Sequence, residues 1–281
     1  MEKVLIQNKT YADPSAYTAA ELLAVAAARE VKDDEVVFAG TGLPMLAVML
    51  AAQTSAPDCK VIYEAGTIES RGTSLPSSVG DPRCVEGCSI ASGLLDVFDQ
   101  LQRGRVDLAF LGGAEIDPYG NVNTTVVGDY LNPHMRFPGS GGNNDINSLA
   151  KRTVFIMVQE RRRFKEEIDY LTSPGWRVRQ WPSGEWVHRR QAYGKKFLGG
   201  PSAVITNMAV YRFDEETGRM YVDTMHPGIT EEILQENTGF TLDFSRCRGE
   251  TLPPTYEELD ILYRVVDPEG IFLPKKSKVQ S

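Results

Sequence analysis

The stretch from Glu35 to Glu64 constrains the fold more than any other. EVVFAG is a short β-branched run that ends on Gly40, and the turn Gly40-Thr41-Gly42-Leu43-Pro44 follows. MLAVMLAAQ then reads as a helix, and CKVIYE as a second strand. Strand, glycine turn, helix and strand make a βαβ unit, which dictates a parallel sheet with a right-handed crossover.

The rest of the chain extends that pattern. Thr18 and Glu21 form a T-x-x-E capping box, so AAELLAVAAARE is a helix running to about Glu30. Residues 92–104 read as a helix that stops at Gly104, and 106–113 and 153–159 as buried strands. Between these strands lies a polar, glycine-rich tract, 114–150, whose length points to a functional or interface role. ERRRFKEEIDYL (160–171) is expected to be helical, and 172–200 loop-like. SAVITNMAVYRF and MYVDTM flank DEETGR, a hairpin signal with Gly218 in the turn. TEEILQENTG and YEELDILYRVV are expected helices near the end of the chain. The fold class is therefore α/β, an open and mostly parallel sheet flanked by helices, with a later β-hairpin closing one edge and C-terminal helices. With no linker or internal repeat, residues 1–281 are expected to form a single domain.

Composition narrows the function. At 281 residues the chain can bury a full core, and 42% hydrophobic with 24% charged residues suits a globular protein. A net charge of −8 without a long basic run argues against nucleic acid as a partner. Cys59, Cys84, Cys88 and Cys247 form no C-x-x-C pair, and three histidines complete no metal framework. Cys84 and Cys88, one helical turn apart, read as packing residues. No apolar run approaches the roughly 20 residues that span a membrane. MEKVLIQNKTYADPS lacks a signal peptide's apolar core, so a cytoplasmic location is expected.

Several residues are candidates for chemistry. Glu64 closes a strand at the sheet end where open α/β folds bind ligands. A glutamate with an ordinary pKa of about 4.3 is ionised at pH 7, and a carboxylate can attack an activated acyl carbon. By spacing alone a solvated strand-end glutamate is the simpler reading. Gly40 and Gly42 would let the backbone approach an anionic ligand at the next helix's N-terminus. Met45 breaks the G-x-G-x-x-G spacing, so glycines that merely bend the chain fit as well. Gly139, Gly141 and Gly142 leave backbone N–H groups unshielded, as an oxyanion hole requires, although a flexible loop has the same composition. Glu115 is a second carboxylate candidate, or a residue that holds the Asp117-Pro118-Tyr119-Gly120 turn. Arg177, Arg179, His188, Arg189, Arg190, Lys195 and Lys196 lie among Trp176, Trp181 and Trp186, a composition that suits phosphate or a subunit contact.

Taken in order, GTGLP, the strand-end EAG, GGAEIDPYGNVN, GDY, RFPGSGGNN, ERRRF, DYLTSPGW and HPGITEEILQENTGF resemble the β subunits of family I coenzyme A transferases. The resemblance runs roughly from Tyr17 to Asp267, and the basic stretch 177–196 stands outside it as a local insertion. It implies a transferase fold in which Glu64 is the catalytic glutamate and Gly139 to Gly142 form the oxyanion-side loop. A homologous α subunit is implied as partner, in an α2β2 or α4β4 hetero-oligomer. Acyl-CoA and a carboxylic acid, a dicarboxylic acid such as glutaconate, are the implied substrates. Coenzyme A enters as a substrate moiety, and no metal or permanently bound cofactor is implied. Ala65 stands where a serine is expected, a departure that bears on the acyl substrate. Some relatives on this scaffold are CoA-thioester decarboxylases or ring-opening C–C hydrolases, but they depart at the glutamate. Retention of Glu64 favours transfer over those reactions and over a non-catalytic CoA-ester-binding subunit.

Overall fold

The computed structural model describes residues 10–70, 74–194 and 199–273. Helix α1 (Ala19–Ala28) starts where T-x-x-E puts it. Thr18 Oγ1 accepts from the Glu21 N–H, and the Glu21 carboxylate accepts from the Thr18 N–H at 2.6 Å. Strand β1 (Val36–Ala39), helix α2 (Leu43–Gln53) and strand β2 (Lys60–Tyr63) form the expected βαβ unit, with Ala39 opposite Tyr63 in parallel register. Helix α2 already begins at Leu43, because a proline in the first turn gives up only an N–H that would have no intrahelical partner.

Two short strands then extend the sheet, β3 (Thr67–Ile68) and β4 (Ile90–Ala91). Two residues show no periodicity, which is why the sequence does not reveal them. Helix α3 (Leu94–Gln102) and strand β5 (Leu108–Leu111) follow as expected. The 114–150 tract holds more order than its composition indicates. It contains the hairpins β6 (Glu115–Ile116) with β7 (Val122–Asn123) and β8 (Val126–Gly128) with β9 (Pro133–Arg136), then helix α4 (Asn143–Leu149). Strand β10 (Arg152–Ile156) returns to the main sheet.

Two expectations after residue 160 require correction. ERRRFKEEIDYL is not helical but a run of turns. Phe164 is fully buried and bridges to Ile116, Glu160 accepts from Arg162 and Arg163, and Lys165 reaches Glu115. These tertiary contacts override helix propensity. Within 172–194 the chain forms a hairpin, β11 (Arg177–Arg179) with β12 (Trp186–His188), followed by the short helix α5 (Arg189–Tyr193). Lys195 and Lys196 lie outside the described residues. SAVITNMAVYRF splits into β13 (Pro201–Ile205) and β14 (Ala209–Phe213), because Thr206 Oγ1 accepts from the Met208 and Ala209 N–H groups and turns the chain. Strand β15 (Met220–Met225) completes the expected hairpin. Helices α6 (Glu231–Glu236) and α7 (Tyr256–Ile261) follow, the latter continuing into a π turn at Leu262–Val266.

The sheet order is β15-β14-β13-β10-β5-β1-β2-β3-β4. Strands from β13 to β2 run parallel, and both edges are antiparallel. Its two faces are separate apolar layers. Val37, Ala39, Leu108, Phe110, Val154 and Ile156 pack with α1 and α2. Phe38, Ala109, Leu111 and Phe155 pack on the other face, with Val97 of α3 and Ile146 of α4. Alternation along each strand therefore assigns a side to every residue. Ile62 belongs to the α3/α4 face, and Glu64, two residues on, is directed to the same face.

Candidate active site

Glu64 is the second residue of a tight turn in which the Gly66 N–H donates to Tyr63 O at 3.0 Å. Gly66 has φ +127°, and a Cβ there would fall 2.5 Å from Ser92 O. Ser92 donates to Gly66 O through both its N–H and its hydroxyl. Only glycine fits this crossing, which turns the chain into β3 and holds Glu64 at the carboxyl end of β2. The carboxyl group is half-buried, and burial pushes its pKa above the usual glutamate value.

The glycine tract reaches the same point. Gly142 is the N-cap of α4 with φ +87°. A Cβ built on it would lie 3.1 Å from Glu64 Oε1 and 2.6 Å from Phe98 Cζ. Gly142 thus presents bare backbone to the carboxylate, with the Phe98 ring alongside. Asn143 anchors this end of α4 by donating from Nδ2 to Gly112 O, just past β5. Gly139 and Gly141 also have positive φ, with open space where a Cβ would project. The Gly139 N–H is already engaged by Thr124 O at 3.2 Å. The amides of Gly141 and Gly142 meet no acceptor among the described residues.

Gly40 and Gly42 sit at the end of β1, the strand paired with β2, so they share the sheet end with Glu64. Gly40 is confined by Phe110 O at 3.3 Å from its would-be Cβ, whereas Gly42, φ +92°, faces open space. Thr41 between them accepts from the Val79 N–H. Glu115 has a different role. It is buried, with Lys165 Nζ at 2.5 Å, Asn123 Nδ2 at 2.7 Å and the Asp169 N–H at 3.0 Å, and it ties the β6–β7 hairpin to 165–169.

The basic stretch is largely stacked. Arg177 lies over Tyr119 and Trp186, Arg179 over Trp186, and Arg190 over Trp176, whose other neighbour is the stacked His188 ring. Arg189 is buried and donates to Ser148 O near the end of α4 and to Pro174 O. Sequence reasoning overlooked two residues of the site, Phe98 and Asn143. Phe98 reads as an ordinary apolar position of an amphipathic helix, and Asn143 as part of a polar run, so neither carries a signal of its own.

The family profile described as Coenzyme A transferase matches residues 20–237. The chain belongs to the coenzyme A transferase family. Glu64, both glycine turns and the basic stretch all lie within the matched region. This coenzyme A transferase is 38% identical to the B subunit of glutaconate CoA-transferase from Acidaminococcus fermentans, over 93% of this chain and 97% of that protein. It is 39% identical to the B subunit of 3-oxoadipate CoA-transferase from Pseudomonas knackmussii, over 88% of this chain and 93% of that protein. The crystal structure of the Acidaminococcus fermentans glutaconate coenzyme A-transferase superposes with a TM-score of 0.84 at 37% identity, covering 94% of this chain and 100% of that chain. The open, mostly parallel sheet is thus the fold of a known transferase. Among the described residues, no helix is long and apolar enough to cross a membrane.

Proposed function

We propose that this chain is the catalytic β subunit of a heteromeric acyl-CoA:carboxylate CoA-transferase, with Glu64 as its nucleophile. The observation that carries this reading is the half-buried Glu64 carboxyl at the mouth of the sheet, with the bare backbone of Gly142 against its Oε1. Both relatives are B subunits of transferases named for a dicarboxylic acid, which supports a dicarboxylate substrate and a homologous α subunit as partner.

The reaction proceeds in balanced steps. The Glu64 carboxylate attacks the thioester carbonyl of an acyl-CoA, and the carbonyl electron pair moves onto oxygen. The Gly141 and Gly142 amides are suitable donors to that oxyanion. Collapse expels CoA thiolate and leaves an acyl-glutamyl anhydride. The thiolate then attacks the glutamyl carbonyl, which releases the free acid and forms a glutamyl-CoA thioester. A second carboxylate attacks that thioester, and the steps run in reverse. Anhydride formation is uphill, so binding energy from the remote parts of CoA is used at the reacting carbon. Water must be kept out or the anhydride hydrolyses, a requirement that an apolar wall and a covering partner subunit both serve.

The test is covalent trapping. The chain, copurified with its partner subunit, is mixed with glutaconyl-CoA or 3-oxoadipyl-CoA without acceptor and treated with borohydride. Mass spectrometry of the Glu64 peptide should show reduction to the primary alcohol only when acyl-CoA was present. Thioester consumption with Glu64 unmodified would overturn the reading.

A further inference from the structure

Phe98, which flanks Gly142 on the side of Glu64, has no part in the chemistry just described. It projects from the middle of α3 and is only partly buried. Its ring stands edge-on to Phe38 of β1, with centroids 5.9 Å apart and planes at 81°. Phe38 is fully buried and fixed in the sheet, so it holds the Phe98 ring in place. The far edge of Phe98 and Glu64 Oε1 both flank the point where a Cβ on Gly142 would lie, at 2.6 and 3.1 Å from it. One side of the carboxylate is therefore flanked by an aromatic edge, which offers water no hydrogen-bond partner, and by the backbone of Gly142.

From this geometry we infer that Phe98 is the positioning residue for Glu64, an apolar wall that keeps the carboxylate poorly hydrated and shields the acyl-glutamyl intermediates from water. The inference rests on Glu64 being the nucleophile. Charged groups on the surrounding elements are engaged elsewhere or lie exposed. On α3, Asp96 accepts from the Gly93 N–H and Asp99 pairs with Arg103. Near the β3 end, Glu69 accepts from Ser89 Oγ. Arg136 of β9 donates to Tyr130 O and lies over the Tyr130 ring, while His134 of β9 and Asp145 of α4 are exposed. Among the described residues, desolvation alone shifts Glu64. A polar side chain at position 98 would admit water to the carboxylate and lower its pKa toward the ordinary value.

The experiment compares Phe98→Ser, Phe98→Leu and Phe98→Met with wild type and Glu64→Gln, each copurified with the partner subunit. Three quantities are read: the acid limb of kcat/KM, the ratio of acyl-CoA hydrolysis to transfer, and the melting temperature. Phe98→Ser should move the acid limb to lower pH and raise the hydrolysis ratio on the order of tenfold or more. Phe98→Leu and Phe98→Met, which restore an apolar wall, should keep both near wild type. If the folded Ser and Leu variants both keep the wild-type acid limb and hydrolysis ratio while Glu64→Gln is inactive, the role of Phe98 is overturned and that of Glu64 stands. Normal transfer by Glu64→Gln would overturn both.

Discussion

Replacing Gly142 by alanine tests the geometry of the site most directly. The new methyl carbon would start 2.6 Å from Phe98 Cζ, about 0.9 Å inside the shortest comfortable carbon–carbon separation of about 3.5 Å. It would also lie 3.1 Å from Glu64 Oε1. The left-handed backbone at φ +87° adds roughly 1–2 kcal/mol for any residue with a Cβ. Overpacking of this kind costs about 1–3 kcal/mol. The ring, the carboxylate or the cap of α4 must therefore move by most of an ångström, and a misplacement of about 1 Å reduces turnover on the order of 100-fold. Gly141→Ala is the matched control, because φ is +52° there but nothing lies within 4 Å of the added carbon. It should show the backbone strain without the collision. The assay is steady-state CoA transfer, paired with thermal melts to confirm that both variants fold. Turnover of Gly142→Ala within about threefold of Gly141→Ala would refute the reasoning, since it would mean that the contact with Glu64 and Phe98 does not control the reaction.

Two further variants probe titration. Burial raises the Glu64 pKa in the folded state, so the native protein holds its proton more tightly than the unfolded chain, and stability falls as pH rises through the window above about 4.3. Glu64→Gln should abolish transfer yet melt at a higher temperature than wild type at pH 8, with the difference vanishing below pH 4; scanning fluorimetry across pH reads both. His226 behaves in the opposite sense. It is buried between Thr251 and Thr206 O, and burial lowers its pKa from 6.5 to about 4. Its contribution is complete above pH 6.5 and is lost as pH falls toward 4, a loss of about 3 kcal/mol for a shift of this size. His226→Asn should flatten the acid side of the stability curve, measured as urea midpoints at pH 7 and pH 4.5.

The sheet was legible wherever a strand or helix was long enough to show its period. α1, β1, α2, β2 and β5 follow from hydrophobic pattern, capping chemistry and glycine position. The strands that pattern missed, such as β3 and β6, are two residues long and owe their existence to Gly66 and Asp117 turn chemistry. The charged run beginning at Glu160 misled because its composition suits a helix, while burial of Phe164 and the Lys165–Glu115 ion pair demand turns. Within the site, Glu64 and the glycines were visible as residue types at strand ends and in loops. Their meeting was not, since only the strand order brings α4 back across β5 toward β2. Phe98 was invisible for the opposite reason, because an aromatic residue on a helix reads as core.

Glu64 and Gly142 stand 78 positions apart (142 minus 64). Closing a loop of that length costs about 4 kcal/mol of chain entropy, which the pairing of β5 with β1 and the packing of α4 against α3 help to offset. On a nascent chain that ends before α4, the Glu64 carboxylate lies without Gly142 beside it. Its surroundings are therefore complete only once the chain has passed residue 142, after β1, β2 and β5 have been made.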